Sequence, residues 1–452
     1  MKKLVALLMC AILVASMLAG CGKAQEPADT STTQPGTTEE SASTEETKAK
    51  EYPKTEMTLM MVSGASNDAT NKMLAKIIPE FNENNEFNTT IEHVTYETEQ
   101  YKSKIATLMA SNAQPDIFYT WEAGFLKPFV EAGKVYPIGD ALEKDPEWKG
   151  RFLEGVFGPL TFDDGKIYGV PNFLQCGVVY YNTRLFEENG LKEPETWDEF
   201  LHICETLKSK GIIPISMPSQ KSWIASQFLQ EMANGIGGAD LFNKLVSGET
   251  TWDDERFIQA GKEFQSLVNK GYFQEGFLGM TQDEGRDLFK NEKAAMYFMG
   301  SWDTVNLTDP AAPVSKNLGV FKLTPINPEN KGTILGSVGT CFSISSTAKC
   351  IDGAIALVKR MSDPDVQAGF AYEYKYNLAT NVKLDESKLN PVQLEIQYIL
   401  NDVTTLTPWY DRVFGAGEGT EFNNAAIAIA SNKDVEEQMK ALAEYAKANR
   451  ER

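Results

Sequence analysis

From Met57 onward short apolar runs alternate with amphipathic stretches, and this alternation limits the fold more than any other feature of the chain. "MTLMMVS" (57–63) is an apolar run closed by a turn-former, the pattern of a strand buried on both faces. In "NKMLAKIIPEFNE", Met73, Leu74, Ile77, Ile78 and Phe81 share one helical face. "NTTIEHVTY" returns as a β-branched strand. "YKSKIATLMASNAQ" places Tyr101, Ile105, Leu108 and Met109 at helical spacing, and "PDIFYTW" is a third strand. The order β-α-β-α-β predicts a mostly parallel sheet in an α/β domain. Ligands of such sheets bind beyond the carboxyl ends of the strands. The loops expected there are residues 63–68, which open with Ser63, and residues 120–124.

The alternation continues. Two short β stretches are expected to flank residues 172–175, which include Asn172 and Phe173. Thr196 with Glu199 three residues on forms a capping box, opening a helix that presents Phe200, Ile203 and Leu207. A helix-rich region follows, and then the run "AAMYFM" (294–299), which reads as a buried strand. It ends in "GSWD", a position where turn residues are the rule and a Trp is unexpected. Further strands are expected in "NLGVFKLTPI" and "TCFSISS". The C-terminal third is helical at "IDGAIALVKRMSD", "VQLEIQYILND" and "VEEQMKALAEYAKANR". No internal repeat is evident.

The first twenty residues have the form of a secretory signal peptide: two lysines, an apolar core over residues 4–18, and small residues before Cys21. "LAGC" (18–21) resembles the lipobox of bacterial lipoproteins, which implies cleavage before Cys21 and a diacylglyceryl anchor on its thiol. Residues 22–54 are rich in Thr, Ser, Glu and Pro and have almost no apolar side chains, so they read as a disordered tether. The signal peptide is thus assigned to 1–20 and the lipidated linker to 21–55.

The net charge of −20 disfavours nucleic acid as a partner, because phosphate backbones would be repelled. Beyond Cys10 and Cys21 there are four cysteines, at 176, 204, 341 and 350, and none lies in a metal-binding pattern. Cys341 and Cys350 are close enough in sequence to pair, and four unpaired thiols are equally compatible with the spacing. His93 and His202 have no metal-type neighbours. HExxH, GxSxG and P-loop motifs are absent from the sequence. "DDGK" (163–166) lacks the alternating ligands of a calcium loop and reads as a turn. "GAGEG" (415–419) reads as a loop. No cofactor and no metal is expected.

In this order and at these separations, four stretches resemble the extracellular solute-binding proteins of ABC importers, in the class that binds maltose and other oligosaccharides. They are "QPDIFYTW" (114–121), "GKIYGVPNF…VVYYNTRLFEENGLKEPETWDEF" (165–200), "FKNEKAAMYFMGSW" (289–302) and "GSVGTCFSISSTAK…AIALVKRM" (336–361). The resemblance runs from about residue 57 to the C-terminus. It implies an α/β fold of two lobes, of the type II periplasmic-binding kind, joined by strands crossing near 173–175, 294–297 and 342–345. Lobe 1 is then 56–172 and 297–342, and lobe 2 is 176–293 and 346–452. The implied function is non-catalytic: a ligand trapped in the interlobe cleft, then passed to a membrane permease by a monomeric, lipid-anchored receptor on the extracytoplasmic face.

Sugar rings have an apolar C–H face and a rim of hydroxyls, so sites that grip them pair flat aromatics with fixed polar groups. Such pairings occur at Trp121-Glu122, Asn172-Phe173, Trp302-Asp303 and in "TPWYDR", which holds Trp409, Tyr410, Asp411 and Arg412. Trp223, in the polar stretch "SQKSWIASQ", is a further candidate. Trp148, Trp197 and Trp252 read as structural, the first and last in charged, surface-like contexts. The expected ligand is a carbohydrate, an oligosaccharide in the first instance. The alternatives are a surface glycosidase or lyase acting on similar sugars, and a receptor for a peptide or polyamine.

Overall fold

The structure, a computed structural model, describes residues 51–64 and 68–450. The leader, Cys21 and the tether up to residue 50, together with residues 65–67, lie outside the described residues. Among the described residues there are ten strands: β1 (Thr55–Ser63), β2 (Thr89–Glu97), β3 (Ile117–Thr120), β4 (Val170–Asn182), β5 (Ile213–Ser216), β6 (Ala294–Gly300), β7 (Leu318–Phe321), β8 (Thr333–Ile344), β9 (Asn377–Leu378) and β10 (Thr405–Thr407). They form a path β2-β1-β3-β8-β4-β6-β5, with β7 and β9 on β4 and β10 on β8.

The first three strands run as the alternation predicts. β1 is parallel to β2 and to β3, and helices Asp68–Asn84 and Thr98–Ala110 make the crossovers. Each β3 side chain is buried, which explains why "IFYT" carries no polar alternation. The expectation of a mostly parallel sheet fails beyond β3, because β8 and β4 are inserted antiparallel.

β4 is one continuous strand where the sequence suggested two short ones. Val170–Cys176 pairs with β8, and the same strand then pairs with β6 from Gly177 and with β7 from Val179. A strand that changes partners midway keeps its backbone hydrogen bonds satisfied throughout, so nothing breaks it at residues 172–175. β8 changes partners too, pairing β10 at Thr333–Leu335 and β4 from Gly336.

The capping box at Thr196 and Glu199 is present, and Thr281 with Glu284 forms a second. Trp148 and Trp252 are not at the surface. Both are fully buried, with Trp148 Nε1 donating to Ser362 Oγ (2.9 Å) and Trp252 Nε1 donating to Glu418 (2.6 Å). Glu418 also accepts from Arg450 Nε (2.7 Å), and residues 415–419 form a wide helical turn rather than a loose loop. The cysteines at 176, 204, 341 and 350 are all buried free thiols. Among the described residues there is no metal-type cluster, and no helix is long and apolar enough to cross a membrane.

Candidate functional site

β6 is buried along its whole length and ends at Gly300; residues 301–303 then form one tight turn. The turn folds Trp302 back over Gly300, where a Cβ would stand 2.1 Å from the indole. Only glycine allows this approach. Trp302 is 3 % exposed and its Nε1 has no hydrogen-bond partner among the described residues.

Two more indoles flank it. The Trp409 ring is 5.9 Å from that of Trp302, and the Trp223 ring is 6.3 Å away on helix Ser222–Ser247. Trp409 follows β10 and is held from both sides by Gln230. The amide of Gln230 donates to Pro408 O (2.8 Å), and its Oε1 accepts from Tyr410 N (2.9 Å). The Arg412 guanidinium lies 3.9 Å above the Trp409 ring, a cation–π contact.

The opposite wall comes from β3. Trp121 follows that strand and meets Tyr119 and Phe125 edge to face, each at 4.8 Å; Phe129 continues the series 5.8 Å from Phe125. Lys102 Nζ is poised 5.5 Å over Trp121. Glu122, only 1 % exposed, faces Arg412, whose Nη1 is 3.4 and 3.5 Å from its two oxygens. At the rim, Glu97 at the end of β2 pairs with Lys221, just before helix Ser222–Ser247. Burial pulls the Glu97 pKa upward, but the bond from Lys221 and the amides of Glu99 and Thr98 outweigh it, so the carboxyl ionises more readily than usual.

Five of the candidates therefore line one cavity: Trp121, Trp223, Trp302, Asp411 and Arg412. Thr98, Lys102, Tyr119, Phe125, Gln175 and Gln227 complete it. Trp409 stands behind Trp302, and Glu122 behind Arg412. The others lie elsewhere. Asp303 is fully buried and accepts from Arg286 Nε (2.9 Å), Tyr297 OH (2.9 Å) and Asn306 (2.7 Å). Phe173 packs on Phe370 and Tyr376, and Tyr410 sits among Trp252, Phe242 and Phe422. Asn172 is buried in β4, and both its side-chain polar atoms are unpartnered among the described residues. Ser63 is half-buried at the end of β1, paired in register with Glu97.

Sequence reasoning did not single out Thr98, Lys102, Tyr119, Phe125, Gln175 or Gln227. The spacing of Tyr119, Trp121, Phe125 and Phe129 was the one signal available, since four aromatics in eleven residues exceed what a four-residue strand needs. Chemically, the cavity offers flat apolar faces with a guanidinium, an ammonium, a carboxylate and two amides between them. It suits a ligand that is apolar on its faces and polar on its edge.

The family profile of bacterial extracellular solute-binding proteins matches residues 65–368, well over half of the chain. An extracellular-binding protein of an ABC transporter from Pyrococcus horikoshii is 28 % identical over 319 residues, covering 69 % of each chain. A multiple sugar-binding protein from Streptococcus mutans is 26 % identical over 306 residues, covering 62 % of this chain and 70 % of its own. Among solved structures, one from work on xylan utilization by the thermophilic bacterium Caldanaerobius polysaccharolyticus superposes with a TM-score of 0.78 at 28 % identity, over 86 % of this chain and 99 % of that one. A chitin oligosaccharide binding protein gives a TM-score of 0.79 at 23 % identity, over 87 % and 99 %.

Proposed function

Because the chain belongs to the bacterial extracellular solute-binding proteins, with their two-lobed type II periplasmic-binding fold, we propose that it captures a carbohydrate, an oligosaccharide in the first instance, and delivers it to the permease of an ABC importer. The observation that carries this reading is the convergence of Trp121, Trp223 and Trp302, from three separate elements, on one cavity edged by Arg412, Asp411, Lys102, Gln175 and Gln227. Each indole offers a flat face to the C–H side of a sugar ring, and the charged and amide groups select hydroxyls at its rim. The buried Nε1 of Trp302, unpartnered among the described residues, is a donor whose desolvation a ligand hydroxyl would offset. The multiple sugar-binding relative and the xylan- and chitin-related structures support the same ligand class.

The lobes are assigned to 56–172 with 297–342 and to 176–293 with 346–452. The change of β4 partners between Cys176 and Gly177 supports a hinge there. Closure about it brings Trp121 toward Trp223 and Trp302 and traps the ligand. The protein is anchored on the extracytoplasmic face through Cys21, acts as a monomer and does no chemistry on its cargo.

A thermal-shift panel of xylo-, chito- and malto-oligosaccharides, raffinose, short peptides and polyamines tests the reading. A sugar should raise the melting temperature and be recovered intact. Stabilisation by peptides or polyamines alone, or cleavage of a sugar during incubation, would overturn it. The anchor is tested separately: Cys21→Ala should release the protein from membranes.

A further inference from the structure

We infer that the binding site continues outward past Trp121 into a second compartment, so that the ligand is a linear oligosaccharide whose far end lies on Phe129. This rests on the carbohydrate reading above and adds that the ligand is linear and where its far end lies.

The aromatic series is the first ground. From Tyr119 through Trp121 and Phe125 to Phe129, consecutive rings meet edge to face at 4.8, 4.8 and 5.8 Å, forming an unbroken track that begins in the cavity and leaves it. Tyr119 and Trp121 line the inner cavity, Phe125 lines both compartments, and Phe129 lines only the outer one. Phe125 and Phe129 are half-buried, so the outer rings are not simply absorbed into the core.

The waist between the compartments is the second. Lys102, Trp223 and Asp411 border both spaces, giving the passage another aromatic face and two opposite charges. The Asp411 carboxylate has no hydrogen-bond or ion-pair partner within the protein among the described residues, so its acceptors remain available at the point where a linkage between rings would pass.

The third is the backbone that sets the waist. Between Trp121 and Phe125 the chain turns through Ala123 at φ 53°, a left-handed conformation that a non-glycine residue adopts only when its surroundings hold it there. At the next residue, Gly124, a Cβ would stand 2.1 Å from Val413 O. The turn is thus pressed against the segment that carries Asp411 and Arg412. This contact places Phe125 in line with Trp121 rather than out in solvent.

The test is calorimetric titration with matched xylo-, chito- and malto-oligosaccharides of one to four rings. For the series that binds, affinity should rise as rings are added beyond the first. Phe129→Ala should weaken the longest member about tenfold and leave the shortest member that binds within twofold. Ala416→Trp, an exposed position lining the outer compartment, should do the same by filling it, and it does not depend on removing a packed side chain. Affinity independent of length, or variants that shift every length equally, would overturn the inference while leaving the carbohydrate reading standing. Failure of every sugar in all three series to bind would overturn both.

Discussion

The indole of Trp302 lies on the backbone of Gly300, so close that a methyl group there would stand 2.1 Å from two ring carbons. Gly300→Ala should therefore displace the indole from the cavity. The expected cost is about 1–3 kcal/mol in stability, as for other overpacked sites, with a drop in sugar affinity comparable to that of Trp302→Ala. Calorimetry on the folded variant checks this, and unaltered affinity would show that the ring position is not set by the glycine.

Glu122 is almost completely buried and Arg412 is the cation that faces it. Arg412→Met should cost about 3 kcal/mol, because it strands a buried carboxylate. Adding Glu122→Gln should restore most of that loss. Urea unfolding of the single and double variants measures the difference; a double variant no more stable than the single one would contradict the pairing.

Asp303 behaves differently from its neighbour. Its carboxylate is satisfied inside the fold by Arg286, Tyr297 and Asn306. Asp303→Ala should lower stability by about 3–5 kcal/mol yet leave the sugar affinity of the folded protein within twofold. A normal melting temperature with lost affinity would make Asp303 a ligand contact instead.

Glu231 supplies a pH dependence. It is buried on helix Ser222–Ser247, accepts from Leu335 N (2.7 Å) and Asn234 (3.1 Å), and has Lys322 nearby. Burial pushes its pKa up to about 7, against partial opposition from Lys322 and these hydrogen bonds. The folded protein thus holds this proton over a range where the unfolded chain has released it. The contribution is full below about pH 4.3 and is lost as pH rises to 7, by up to about 3 kcal/mol. Glu231→Gln should remove that part of the slope; identical stability–pH slopes in the two proteins would contradict the assignment.

The α/β class was legible because strands buried on both faces read as continuous apolar runs and their crossovers as amphipathic helices. The antiparallel insertion of β8 and β4 was not, since pairing between residues 170–176 and 336–342 leaves no local signal. In the cavity, Trp121, Trp302, Asp411 and Arg412 could be named because aromatic and charged side chains adjoin in sequence, and Trp223 because it lies in a polar stretch. Adjacency also misdirects. In a tight turn with three residues per revolution, consecutive side chains point about 120° apart, so Trp302 enters the cavity while Asp303 turns to Arg286. Gln175, Gln227 and Lys102 are ordinary strand and helix residues whose role depends on partners more than a hundred positions away for the first two, or on another element for the third.

Calorimetric titration of the wild type and of Trp302→Ala with linear xylo-, chito- and malto-oligosaccharides tests the central claim most directly. The account predicts saturable one-to-one binding of at least one series, weakened by about 1–3 kcal/mol when the indole is removed. Binding of no sugar by the wild type, or equal affinity of the two proteins, would contradict it.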